Sequence, residues 1–218
     1  MSSHIRVVFA ILVILLSSLA AQAQNFNIDV GSNQGTPSDA YGAASGQTGP
    51  WNTVGKAINP FLTDTSNSPT SVSIGVTADT DQGNGPTCPT ADAIASLGDN
   101  IYTQHGTWTV NLGGLTNDTY VVYLYAPSNE YVATGDMLVN GTPVASVAGT
   151  ADCDLTEGVG MARVTVDVLD GTLAMTGDST GTGFDYAGIA AIQIMVDPTV
   201  FIDGFETSDT SKWSSTVQ

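Results

Sequence analysis

Basic residues are nearly missing from this chain: four Lys and Arg stand against 21 Asp and Glu, a formal charge of −17 at neutral pH. A surface of that sign repels a phosphate backbone, so nucleic acid is not an expected partner. Charge of either sign is scarce, at 11% of residues, under half the usual share of about a quarter. Solubility therefore rests on net repulsion and on Ser, Thr, Asn and Gly rather than on mixed ion pairs. Histidine is rarer still, with only His4 and His105. A zinc site or Cys–His catalysis has too few ligands to draw on. A Ser-His-Asp triad would have to use His105 without the Gly-x-Ser-x-Gly elbow that presents such a serine.

Long apolar runs are confined to the N-terminus. Residues 7–21 are almost wholly apolar, follow Arg6, and lead into Ala21-Gln22-Ala23, whose small residues suit a signal peptidase. The run is shorter than the ~20 apolar residues of a membrane span. Residues 1–23 thus read as a cleaved signal peptide, 24–197 as one β-sandwich domain and 198–218 as a C-terminal tail. No transmembrane segment is expected after signal cleavage, and the product is expected to be secreted or at the cell surface, a periplasm being one such destination. Cysteine is limited to Cys88 and Cys153, both in Gly/Pro/Asp-rich sequence. In an oxidising compartment a disulfide is the natural reading, with two free thiols as the alternative. A bridge closing a loop of about 65 residues would be worth ~4 kcal/mol.

A convincing amphipathic helix is also missing, although Thr90 to Leu97 has room for a turn or two. What is present is alternation with a period of two, which belongs to strands with one buried face. Phe26, Ile28 and Val30 alternate with polar residues, as do Val72, Ile74 and Val76, then Trp108, Val110 and Leu112. Tyr120, Val122 and Leu124 follow, then Val164, Val166 and Val168, then Leu173 and Met175. The last run, Ile189, Ile192, Ile194 and Val196, breaks step and predicts a bulge or turn. Asn140–Gly141 and Asp170–Gly171 lie between apolar segments and carry the chemistry of two-residue hairpin turns. Some eight short strands without intervening helices define an all-β, antiparallel sandwich or barrel. Two long stretches, Gly31 to Lys56 and Asp79 to Asn100, read as irregular, and loops of that length are usually functional or disordered.

From about Ile28 to Val196 the order of features resembles malectin-like and other galactose-binding-like modules. The residues that carry this are Ile28-Asp29-Val30-Gly31, Thr119 to Ala126 after a Gly-Gly-Leu-Thr-Asn connection, Asp136 to Gly141 with Pro143-Val144, Val164 to Val168, and Ala187 to Ile194. The resemblance implies a jelly-roll β-sandwich that is non-catalytic and binds glycans. Residues 200–214 are similar to a D-G-F-E-x-x-D-T-x-x-W-S ending at the C-termini of many exported bacterial proteins. The alternative for that segment is a final strand or docked tail packing Phe201, Phe205 and Trp213.

The leading expectation is therefore a non-catalytic exported module that binds a carbohydrate or cell-envelope polysaccharide through exposed aromatics. The main rival is a structural surface or matrix protein that self-associates, and the distant one a calcium-dependent glycan hydrolase. Sugar recognition sets an aromatic face against the apolar side of a ring, with amides and carboxylates taking the hydroxyls. On the strand at 119–125, Tyr123 and Tyr125 face away from the Tyr120 side, and either line an outer surface or are covered by the 31–56 stretch. Tyr41 and Trp51 in that stretch, with Asp185 and Tyr186 before the last strand, complete the ligand candidates. Trp108 falls in phase with Val110 and Leu112 and is expected in the core. No cofactor is called for, except that Asp79 and Asp81 in Asp-Thr-Asp-Gln-Gly-Asn-Gly carry the spacing of a structural calcium loop, without the remaining ligands of an EF-hand. The alternative for these acids is a solvated turn.

Overall fold

A computed structural model describes residues 24–31, 33–56, 60–83, 88–127, 132–149, 152–180 and 186–198. The expected signal peptide, Asp185 and residues 199–218 of the expected tail lie outside the described residues. In chain order the strands are β1 (Phe26–Val30), β2 (Trp51–Val54), β3 (Phe61–Thr63), β4 (Pro69–Thr77) and β5 (Thr80–Gly83). The helix α1 (Ala91–Gly98) follows, then β6 (Asp99–Gln104), β7 (Thr107–Gly113), β8 (Asp118–Tyr125), β9 (Val132–Ala133) and β10 (Asp136–Val139). The chain continues through β11 (Thr142–Val144), β12 (Met161–Val168), β13 (Thr172–Asp178), β14 (Tyr186–Ile189) and β15 (Ala191–Val196).

Two sheets form the sandwich: a five-stranded one in the order β12-β8-β15-β1-β2 and a six-stranded one in the order β11-β10-β13-β7-β4-β3. A third, β5-β6-β14-β9, extends the structure at one end. Pairing is antiparallel except for β1–β2 and β9–β14. The period-two residues close the core as their spacing dictates. Phe26, Ile28, Tyr120, Val122, Leu124, Ile192 and Ile194 come from one sheet and Val72, Ile74, Trp108, Val110, Leu173 and Met175 from the other, all in one buried cluster.

The broken rhythm of the last run has a clear cause. Ala190 separates β14, which pairs with β6, from β15, which pairs with β1 and β8. The chain changes sheets there, and Ala190 is tied into both neighbours by Ala190 N–H to Tyr125 O and Val30 N–H to Ala190 O. Asn140–Gly141 is the hairpin turn expected, with φ of 46° and 77° joining β10 to β11. Asp170–Gly171 is not. It joins β12 to β13, which lie in different sheets, and Val168 and Leu173 on either side of it are both buried in the core between them. The same turn residues serve a crossover because both flanking apolar faces point inward from opposite layers.

Thr90 caps α1 through a bond from Ala93 N–H to its Oγ1 at 3.1 Å, and the helix is the turn or two expected there. Cys88 and Cys153 are bridged, with Cα atoms 5.3 Å apart. The bridge joins the approach to α1 with the approach to β12.

Candidate functional site

Sandwich sheets have an outer face as well as a core face, and the outer face of the five-stranded sheet is covered here. Residues 38–50 lie over it, anchored by Ser38, whose N–H and hydroxyl both donate to the Asp92 carboxylate of α1. Beneath them is a polar layer. Gln193 Nε2 donates to Asn27 Oδ1 at 2.8 Å and to the carbonyls of Gly42 and Gln47, Gln47 Nε2 donates to Asn27 Oδ1, and the Tyr125 hydroxyl donates to Gln193 Oε1 at 2.5 Å.

Four of the expected ligand residues are thereby drawn into packing. Trp51 and Tyr125 are buried, and burial raises the Tyr125 phenol well above its ordinary pKa. Tyr41 is half-buried, its ring 5.9 Å from Trp51, whose indole N–H donates to the Tyr41 carbonyl. Tyr123 is half-buried beneath the Arg163 guanidinium, 5.7 Å from its ring centre. Together with the disulfide, Leu97 and Met161 they form a second apolar cluster. Tyr125→Phe is expected to leave Gln193 Oε1 without its donor in a buried network. It should cost about 1–3 kcal/mol, read as a lower urea midpoint at unchanged m-value.

The small third sheet holds a second pair of aromatic rings. Tyr102 on β6 and Tyr186 on β14 meet edge to face, 5.4 Å between centres at 88°, and both are half-buried, as Tyr41 and Tyr123 are. Pairing puts Gln104 opposite Tyr186 and Thr80 opposite Tyr102, so the face carries two aromatic rings flanked by an amide and a hydroxyl. Asn100, two residues before Tyr102 on the same face, is buried with neither amide atom hydrogen-bonded.

Both strands that flank Tyr186 run on into a cleft of about 510 Å³ on the outer side of the six-stranded sheet. Thr107, three residues beyond Gln104, and Asp136, four beyond Val132, line it. Three residues reach at most ~11 Å, so Gln104 of the third sheet and Thr107 of the cleft are no farther apart than that along the chain. Asp136 and Asp178 face each other across the β10–β13 ladder in this cleft, with Leu138, Pro143 and Thr176 beside them. Hydrogen bonds from Thr180 N–H and from the Thr180 and Thr107 hydroxyls hold the Asp178 carboxyl below its ordinary range. The cleft thus combines carboxyl oxygens, hydroxyls and an apolar flank.

Of the two acids expected in a calcium loop, Asp79 is exposed and accepts from the Thr103 hydroxyl at 2.8 Å and from Gln104 N–H, which lower its pKa. Asp81 accepts from Asn33 Nδ2 at 3.5 Å and sits over Gly55. His105 is exposed in the β6–β7 turn with φ of 52°. Sequence reading reached Tyr186 but missed Tyr102, Asn100, Asp136 and Asp178. The signal for Tyr102 was its place between Ile101 and Thr103, which are buried and so turn it outward.

No family model matches this chain, and no curated protein matches it. Among solved structures it is similar to a calcium-binding mutant of β-glucuronidase 2 from Bacteroides uniformis, at 13% identity and TM-score 0.48 over 83% of this chain and 19% of that one. It is also similar to the ANX2 ectodomain of Arabidopsis thaliana, at 11% identity and TM-score 0.45 over 79% and 49%. A family 35 carbohydrate binding module from Clostridium thermocellum matches at 12% identity and TM-score 0.34 over 58% and 92%. The chain thus spans about a fifth of the first and half of the second. At these identities and scores the chemistry of the site rests on its own residues.

Proposed function

We propose that this protein is a non-catalytic exported module that binds a glycan on the surface formed by the Tyr102–Tyr186 ledge and the adjoining cleft. The observations that support the reading are the pair of partly exposed rings on β6 and β14 and a recess of ligand size, furnished with carboxyl groups and hydroxyls, that begins three residues after β6 at Thr107. A sugar ring lays its apolar face on a tyrosine while Gln104, Thr107, Asp136 and Asp178 take its hydroxyls. Such a platform needs no moving part, because each of these groups is fixed by strand pairing.

A glycan array with the signal-cleaved protein identifies the ligand, and titration calorimetry then ranks the variants. Tyr102→Ala and Tyr186→Ala are each expected to weaken binding about 5–10-fold, since an aromatic contact is worth roughly 1 kcal/mol. Should the loss follow Tyr41→Ala, Trp51→Ala or Tyr123→Ala instead, the ligand lies over the five-stranded sheet. Silence across the array together with concentration-dependent assembly would replace glycan binding with self-association.

A further inference from the structure

A second feature is the outer edge of the five-stranded sheet. The two sandwich sheets end in β12 and β2 on one and in β11 and β3 on the other. Unpaired strand edges template further pairing, and most are blunted by brevity, proline or a bulge. Three of these four edges follow that rule. β2 has four residues, β11 has three with Pro143 at its middle, and β3 has three with a register shift between Phe61 and Thr63. β12 does not. It runs eight residues, Met161–Val168, holds no Pro or Gly, and pairs with β8 in unbroken register.

The direction of its amides follows from its pairing. Ala126 N–H donates to Gly160 O just before the strand, so every second residue from Gly160 turns its N–H and C=O toward β8. Met161, Arg163, Thr165 and Asp167 therefore turn theirs outward. Local groups take the two ends: Gly158 N–H donates to the Met161 carbonyl, and Asn140 Nδ2 donates to that of Asp167 at 3.3 Å. Between those ends Arg163 and Thr165 present both backbone groups along the edge. Their side chains, with that of Asp167, are exposed on the outer face, while Ala162, Val166 and Val168 enter the core. The Arg163 guanidinium is held over the Tyr123 ring, and the Asp167 carboxylate takes the Thr119 hydroxyl at 2.7 Å.

We propose that β12 pairs antiparallel with β12 of a second copy of this chain, about a twofold axis at Thr165, joining two five-stranded sheets into one continuous sheet. The charges select both the partner and the register. In a chain of net charge −17, a second copy is repelled unless the facing surfaces match. With the axis at Thr165, Arg163 of each copy stands opposite Asp167 of the other, close enough for the side chains to pair. Moved to Arg163 or Asp167, the axis brings like charges together. Moved to Val164 or Val166, it sets neither charge against its opposite. The chosen register also places Leu169, 79% exposed just past β12, opposite Met161 of the second copy, and half-buried Val164 opposite Val166. The edge belongs to a different sheet from the tyrosine ledge, and the pairing does not rest on glycan binding.

A single strand pair buries little area, so the dimer should be weak and form over about 1–500 µM protein. Sedimentation velocity of the signal-cleaved protein across that range is expected to show a reversible monomer–dimer equilibrium. Thr165→Pro should keep the monomer's fold, because the lost N–H points away from β8, and should leave the protein monomeric throughout. Arg163→Asp and Asp167→Arg, each checked for folding by its melting curve, should each weaken the dimer about tenfold or more. The two changes combined restore complementary charges and should regain wild-type assembly. Net charge acting alone would instead weaken the dimer in the first variant and strengthen it in the second, and that pattern overturns the proposal. These charge variants also decide the matter should Thr165→Pro fail to fold. A wild type that stays monomeric, a dimer that survives Thr165→Pro, or a combined variant that does not regain assembly likewise overturns it.

Discussion

Trp108→Ala is expected to remove about 3–5 kcal/mol of folding stability, the range for deleting a buried tryptophan. The ring is fully buried in the main core, so truncation leaves a cavity that the strands on both sides can only partly close. It also strips the Thr134 carbonyl of the indole N–H that donates to it at 2.8 Å, leaving a buried acceptor unsatisfied. The site matters beyond stability, because Thr134 leads directly into β10, which carries Asp136 to the cleft. Gly177→Ala should be comparably severe. A Cβ there would strike the Thr134 carbonyl and the indole of Trp108 at once, and the backbone on one side and the packed ring on the other leave no room to shift. Urea denaturation followed by tryptophan fluorescence measures both. A loss under 1 kcal/mol in Trp108→Ala would mean that the ring is not core.

Removing the disulfide, by reduction or by Cys88→Ser with Cys153→Ser, should cost about 4 kcal/mol. The sequence separation is 65 residues, and freeing that loop returns its entropy to the unfolded chain. For a domain of this size the Tm should fall by about 10 °C. The bridge packs in the same small cluster as Trp51 and Tyr125, so the first region to loosen should be the layer over the five-stranded sheet. Hydrogen exchange of the reduced protein ought therefore to speed up in residues 38–50 before it does in β7 or β13. Uniform acceleration would contradict this order.

The buried faces of β1, β4, β7, β8, β12 and β13 were legible because period-two alternation reports one thing only, which side chains leave water, whereas β2 and β5 lie in stretches that read as irregular. Val72, Ile74 and Val76, or Trp108, Val110 and Leu112, could not satisfy a helix, and the structure buries them together. The Asp170–Gly171 turn was legible in position and misread in connection, since a local backbone preference does not tell whether the next strand returns to its neighbour or crosses to the opposite sheet. Tyr123 and Tyr125 show a related limit. Their turn away from the core was readable, but what lay over them depended on residues 38–50, distant in sequence and held by Asp92.

By itself, then, the chain's composition and rhythm determined an acidic β-sandwich with its core side chains assigned, because burial of alternating apolar residues is a local property repeated strand by strand. Only the tertiary structure decided which outer surfaces stay open. Tyr102 and Tyr186 lie 84 residues apart and meet through β6–β14 pairing, and Asp99 packs against Gly31, 68 residues before it, in space that a side chain at Gly31 would fill. Such meetings depend on long-range register and on space, and neither is written in any stretch of sequence short enough to carry a pattern.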